Sequence, residues 1–451
     1  MKNYLKRFVT AAICSALLVS TLSGCDSQPG ANDLMEGISQ DNIKDTASSP
    51  ITDEKPQFSE GQISSDRGVL SHDASLPTAS IVTYTDFAVR LFQKSLESEK
   101  NTLISPLSVI NALAMTANGA KGKTLSQMEQ VFGADISSLN EYLHNYNTSL
   151  PSAEKYRLHI ANSIWLKDKE GFAVEESFLQ ANGSMYGADI YKASFDNFTL
   201  KEINQWVAEH TDDMIPEILN EIPPDAVMYL INALGFDAEW QTPYKSYEVS
   251  DGIFTTESGI EKSVQMMHSE EDVLLQDVNE NGETSALGFL KYYADGKYVF
   301  AALLPEEHIS MKDYVNSLSG EHLSNMLSDT IDADIRASLP KFEAEYSVEM
   351  KNVLKSMGMT TAFDSGQADF SGIGFSSDGN LYISDVIHKT FIAVDEQGTK
   401  AGAATLVEVC SESASIDIAE PIYITLDRPF LYMIIDCKES LPVFIGTVME
   451  P

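Results

Sequence analysis

Apolar residues along this chain keep two rhythms, and the change from one to the other divides it. Between residues 84 and 92 they recur as Tyr84, Phe87, Ala88, Leu91 and Phe92, the spacing of one helix face. An Ala-, Leu- and Met-rich helix over 111–118 continues from Ser105-Pro106-Leu107-Ser108, where Ser before Pro fits an N-cap followed by Pro at the first helical position. A further helix is predicted over 124–132, opening with Thr124 three residues ahead of Gln127 in capping-box spacing. Residues 298–304 form a continuous apolar run suited to a strand buried on both faces. The stretches 381–394, 423–426, 431–436 and 443–448 are rich in β-branched and aromatic residues and read as strands. Helices come early, strands late, with no steady βαβ alternation. The fold class is therefore α+β with large mixed or antiparallel sheets, not a Rossmann-type fold.

Residues 26 to about 78 break both rhythms. They are rich in Ser, Asp, Gly and Pro, with isolated hydrophobes, and read as a disordered tether spanning 25–78. Ahead of them, Lys2, Lys6 and Arg7 precede an apolar stretch over 8–19, too short for a comfortable membrane span. Leu22-Ser23-Gly24-Cys25 then resembles the bacterial lipobox. That resemblance implies a signal peptide over 1–24, lipidation of Cys25, and an extracellular location anchored to the bacterial membrane through this lipid. The alternative is an ordinary secretory signal followed by a chance cysteine. The main domain is expected over 79–451.

Composition narrows the partners. Of 451 residues 43% are hydrophobic, which is ample for a core, and 67 acidic against 30 basic residues give a formal charge of −37. Such a field repels nucleic acid and anionic surfaces and argues against heparin-like polyanions. Cys14, Cys25, Cys410 and Cys437 show no CxxC metal spacing and are too scattered for a disulfide framework. The chain has no GxSxG, HExxH or GxxxxGK[ST] motif, and Asp332-Ala-Asp334 and Asp378-Gly-Asn380 are only fragments of acidic loops. No metal, no cofactor and no enzyme activity are expected.

One segment stands apart. Residues 396–421 join two strands, and a connection this long inside a compact domain is usually functional. Alternate positions read Thr399, Ala401, Ala403, Thr405, Val407 and Val409, all uncharged and small or β-branched. The other register, Lys400, Gly402, Ala404, Leu406, Glu408 and Cys410, holds both charges. This is the period of a strand with one buriable face, and Gly398 before it offers the backbone freedom of a hinge. Two readings stay open at this level: a loop able to become a strand, or a strand permanently in place.

The residues also match a family. Asn162-Ser-Ile-Trp165, Tyr229-Leu-Ile-Asn232-Ala-Leu-Gly-Phe236-Asp-Ala-Glu-Trp240, Val264-Gln-Met-Met267, Leu339-Pro-Lys-Phe342, Met357-Gly-Met359, Asp427-Arg-Pro-Phe430 and Phe444-Ile-Gly446 resemble the serpin motifs in their family order. The resemblance implies three β-sheets, about eight or nine helices and an exposed reactive-centre loop. It further implies a suicide-substrate inhibitor: a target serine protease cuts the loop, and the severed loop enters the main sheet and traps the acyl-enzyme. Glu396, Gln397, Gly398, Thr399, Lys400, Ala401, Gly402, Ala403 and Ala404 fall on the hinge. The loop follows as Thr405, Leu406, Val407, Glu408, Val409, Cys410, Ser411, Glu412, Ser413, Ala414 and Ser415. Lys341, Glu396 and Trp240 match the breach, where the sheet opens; Ser105, Ser108, Asn232 and His388 match the polar shutter beneath it.

Counting forward from Glu396 places the scissile bond at Glu412-Ser413, while counting back from Pro429 places it near Ile418-Ala419. No Lys or Arg lies between Lys400 and Arg428, so elastase- or subtilisin-like targets are expected rather than trypsin-like ones. The expected partner is the protease itself, held covalently by a monomer, with the membrane touched only through the lipid. The rival reading is a non-inhibitory surface binding protein that proteases merely cleave.

Overall fold

The computed structural model describes residues 30–35, 78–97, 99–149, 152–153, 156–211, 213–294, 296–375, 380–399 and 420–451. Nine α-helices occur among them: α1 (Thr78–Ser95), α2 (Pro106–Ala117), α3 (Gly122–Phe132), α4 (Ile136–Thr148), α5 (Glu176–Tyr186), α6 (Asn197–His210), α7 (Met311–Ser317), α8 (Gly320–Ser328) and α9 (Lys351–Ser356). The strands begin with β1 (Asn32–Asp33), β2 (Thr102–Ile104), β3 (Ser152–Ala153), β4 (Tyr156–Lys167), β5 (Ala173–Val174), β6 (Asp189–Ala193), β7 (Met228–Glu239), β8 (Val249–Thr255), β9 (Glu261–Val278) and β10 (Thr284–Tyr292). They continue with β11 (Tyr298–Pro305), β12 (Ile331–Pro340), β13 (Phe342–Glu349), β14 (Gly374–Phe375), β15 (Asp385–Val394), β16 (Gly398–Thr399), β17 (Ile422–Thr425), β18 (Phe430–Asp436) and β19 (Leu441–Val448).

These strands form three sheets. An eight-stranded sheet runs β1-β6-β4-β7-β16-β15-β13, with β3 on β4 and with β7 and β15 also paired directly. A nine-stranded sheet runs β17-β12-β9-β10-β11-β18-β19-β2, with β8 on β9, and β14 pairs with β5. The α+β class and three sheets are as expected. The order of elements is less simple, since the long strand β4 precedes α5 and α6, and α7 and α8 fall between β11 and β12.

All twelve residues of α2 are buried, and the helix touches β4 and β7 of one large sheet and β19 of the other. A helix buried on every side belongs inside a core, and α2 fills the space between the sheets, its Asn111 and Thr116 side chains bonded back to the helix carbonyls. Its start is as read: the Ser105 side chain accepts the Ser108 N–H, with Pro106 at the first position. The 298–304 run is a strand buried almost throughout. On the opposite face of the eight-stranded sheet, Trp165, Tyr229, Ile231 and Ile387 form a second cluster with Ile203, Trp206 and Val207, which fastens α6 over the sheet.

Two expectations are corrected. The α3 helix begins at Gly122 with no side-chain cap, because Thr124 accepts the Asp369 N–H and Gln127 accepts those of Thr360 and Thr361. Tertiary partners outcompete the local capping box. Within the segment read as a structureless tether, residues 30–35 lie on the domain, and β1 extends the large sheet at β6. A two-residue strand carries no apolar period by which a sequence could announce it.

Candidate functional site

The eight-stranded sheet is split at one end. From Asp385↔Tyr229 to Thr390↔Leu234, β15 and β7 pair directly and in parallel. Beyond that point they part, and β16 sits between them, antiparallel to both, with Val394↔Thr399, Gly398↔Glu239 and Thr399↔Ala238. Gly398 and Thr399 therefore already occupy the mouth of the cleft.

The turn that feeds β16 is held from several sides. The Asp395 carboxylate accepts the N–H of Gln397 at 2.7 Å and of Gly398 at 3.2 Å. Backbone N–H groups of Trp240 and Tyr244 donate to the carbonyls of Gln397 and Glu396, each at 2.8 Å, and the Trp240 indole donates to the Asp395 carbonyl at 2.9 Å. Lys341 Nζ lies 2.6 Å from Glu396 Oε2. Their hydrogen bond holds the Glu396 carboxyl below the usual carboxylate range. Sequence reasoning brought Lys341, Glu396 and Trp240 together, and so does the fold.

Beneath the turn lies a network that sequence reasoning missed. Thr399 is fully buried, and its hydroxyl is 2.5 Å from the Tyr293 hydroxyl. Tyr293 stacks on Trp240 with centroids 4.6 Å apart, and the Lys291 ammonium lies over the rings of Trp240 and Tyr244. Lys291 pairs with Glu271 at 2.8 Å, the two side chains being 4% and 10% exposed. Burial alone would lower the Lys291 pKa, but Tyr244 and Glu271 outweigh it and the pKa is raised. The available signal was Lys291 itself, a lysine directly after the apolar run Ala286-Leu-Gly-Phe-Leu290.

Deeper in the sheet, His388 is fully buried and its Nε2 accepts the Ser105 N–H at 3.1 Å. Burial pushes its pKa down to about 3, so the imidazole is neutral and can accept. Ser105, Ser108 and His388 thus form one chain of hydrogen bonds. Asn232 pairs with His388 through the backbone, while its side chain lies outside the described residues.

Residues 400–419 also lie outside them, and with them the expectations for Lys400, Ala401, Gly402, Ala403, Ala404, the loop from Thr405 to Ser415 and the bond Glu412-Ser413. So does Cys25. The description resumes at β17, which pairs in parallel with β12 on the nine-stranded sheet. The undescribed segment therefore joins the mouth of one sheet to the edge of the other.

Residues 82–451 match the family model described as Serpin (serine protease inhibitor). The chain is a serpin. This serpin is 42% identical to a solved thermophilic serpin, tengpin, in the native state, with a TM-score of 0.80 over 94% of this chain and 100% of that one. It is 31% identical to Serpin B10 of Rattus norvegicus over 82% of this chain and 99% of the relative. To the leukocyte elastase inhibitor of Xenopus tropicalis it is 29% identical, over 81% and 98% respectively. Serpins generally bind target proteases and are inhibitors, not enzymes.

Proposed function

We propose that this serpin is a suicide-substrate inhibitor of elastase- or subtilisin-like serine proteases, carried on a bacterial surface by lipid on Cys25 and acting as a monomer. The observation that carries the reading is β16, seated between β7 and β15 at the end where, among the described residues, they part. Continued in the same register, the chain would replace the direct β7–β15 pairing with a new central strand, a strand addition in cis. Thr399 faces the core, so the uncharged positions Ala401, Ala403, Thr405, Val407 and Val409 would follow it inward.

The 14 residues from Thr399 to Glu412 would span about 45 Å at roughly 3.3 Å per residue. A protease acylated at Glu412 would be carried past Met228, the far end of β7. The absence of Lys and Arg between Lys400 and Arg428 disfavours trypsin-like targets, and the similarity to an elastase inhibitor supports the same choice.

The test is incubation with elastase, subtilisin and a glutamate-specific protease, followed by denaturing electrophoresis and sequencing of the released C-terminal fragment. An SDS-resistant covalent complex is expected. Thr399→Arg places a cation in the buried site beside Tyr293, where an unpaired charge is costly. It should convert trapping into plain cleavage. Unchanged trapping by Thr399→Arg, or cleavage without complex by every protease, would remove the insertion mechanism.

A further inference from the structure

Residues 30–35 grip the domain at one place. Asn32 and Asp33 pair with Lys192 and Tyr191 of β6, and the Leu34 N–H donates to the Ile190 carbonyl at 2.8 Å. The Ala31 N–H lies 3.0 Å from both carboxylate oxygens of Glu202 on α6. Ala31 packs on the cluster under α6, whereas Leu34 and Met35 pack on the main core, with the Met35 methyl against Gly183 of α5. The segment thus wraps the sheet edge from α6 on one face to α5 on the other.

Its position and direction follow from the register. β6 pairs with the end of β4 at 163–167, and Trp165 of β4 pairs with Tyr229 of β7. The hinge pair is Gly398↔Glu239, ten residues farther along β7, or roughly 33 Å. β4 is antiparallel to β7, β6 is parallel to β4, and β1 is antiparallel to β6. β1 therefore runs toward the hinge pole, and the chain enters it from the opposite pole, beside the exposed Phe198.

Only four residues, 26–29, separate Cys25 from Gly30. We infer that Gly30–Met35 is a docking strand that sets the pose of the anchored domain: the α6 and β6 edge faces the membrane, and the hinge pole points outward. The inference rests on the reading of Cys25 as the anchor. Five steps of chain reach at most about 18 Å, less than the roughly 21 Å radius of gyration of a domain of this size.

The mature chain, with Cys410→Ser and Cys437→Ser, is coupled through Cys25 to a maleimide lipid in phosphatidylcholine vesicles containing an acceptor-dyed lipid. A fluorescent unnatural residue replaces Lys201 on α6 or Gln241 at the hinge pole. Energy transfer should be about threefold or more stronger from position 201 than from 241, given the roughly 33 Å offset. Ala31→Pro with Leu34→Asp, which removes the donor to Glu202 and the apolar contact, should abolish the difference; the milder Glu202→Gln should reduce it. Equal transfer from both positions in the docked chain overturns the inference, as does a difference that survives both variants. Mass spectrometry of Cys25 from cells is a separate measurement. An unacylated Cys25 removes the anchoring reading without altering the vesicle result.

Discussion

At Gly398 the fold leaves no room for a side chain. A Cβ there would overlap the Ala238 carbonyl oxygen and crowd Glu239. The sequence suggested a glycine chosen for hinge freedom, yet its φ is not in the left-handed region; the constraint is the close approach of β16 to β7. Gly398→Ala should therefore expel β16, lower the urea-unfolding stability by about 1–3 kcal/mol, and abolish covalent complex. Normal complex formation by this variant would show that β16 has slack. His388 yields a second expectation. Its folded pKa of about 3 lies below the ordinary value of 6.5, so between those values the unfolded chain binds the extra proton. Stability from this group is fully present above pH 6.5 and is lost as pH falls toward 3, on the order of 5 kcal/mol in all. Urea titrations from pH 7 to 4 should show the loss, with a shallower slope in His388→Gln. The inward parity of Thr399 was legible because a strand's period is local. Tyr293, whose hydroxyl shares a hydrogen bond with that of Thr399, lies 106 residues away, and only the folded sheet brings them together.

Strand register makes the loop's other face interpretable as well. If the proposed insertion continued the register of Thr399↔Ala238 and Thr399↔Val394, Lys400 would lie opposite Asp237. Thr405 would fall at the level of Asn232 and His388, and Leu406 beside Ile231 and Ile387 under α6. Glu408 would arrive between Tyr229 and Asp385. From the sequence alone the alternation revealed only that one face was uncharged; the partners of the second face depend on which strands part. The Glu408 position carries a prediction. Burial, with Glu349 adding and Val386 N–H and Lys351 opposing, raises the Asp385 pKa to about 6. Above that value an arriving Glu408 meets a carboxylate, a like-charge cross-strand pair worth up to about 1 kcal/mol; below it Asp385 is neutral. The ratio of trapped to merely cleaved inhibitor, read on one gel, should therefore rise about two- to fivefold from pH 8 to pH 5. In Glu408→Gln the ratio should be high and flat. A pH response that persists in Glu408→Gln would place the charge conflict elsewhere.

On the proposed reading, the large sheet would accept the segment that follows β16 once β7 and β15 part. The direct β7–β15 pairs from Asp385 to Thr390 close the cleft below β16, so an intact loop, tied at β17 to the other sheet, cannot enter far without breaking one attachment or the other. Cleavage removes the tie. Insertion would then bury Leu406, Val407 and Val409, each worth about 1.5–3 kcal/mol, and would exchange one strand pairing for two. A gain of at least about 5 kcal/mol corresponds to roughly 6 °C or more in a domain of this size. The check is calorimetry of the chain before and after limited proteolysis at the loop, with circular dichroism following the added strand. Thr399→Arg, nicked at the same bond, should show little of the rise, because its buried cation opposes entry at the first step. Should the wild-type chain melt at the same temperature nicked or whole, the cleft between β7 and β15 is not a site the loop fills, and the position of β16 at its mouth would have to be explained as a static end to the sheet.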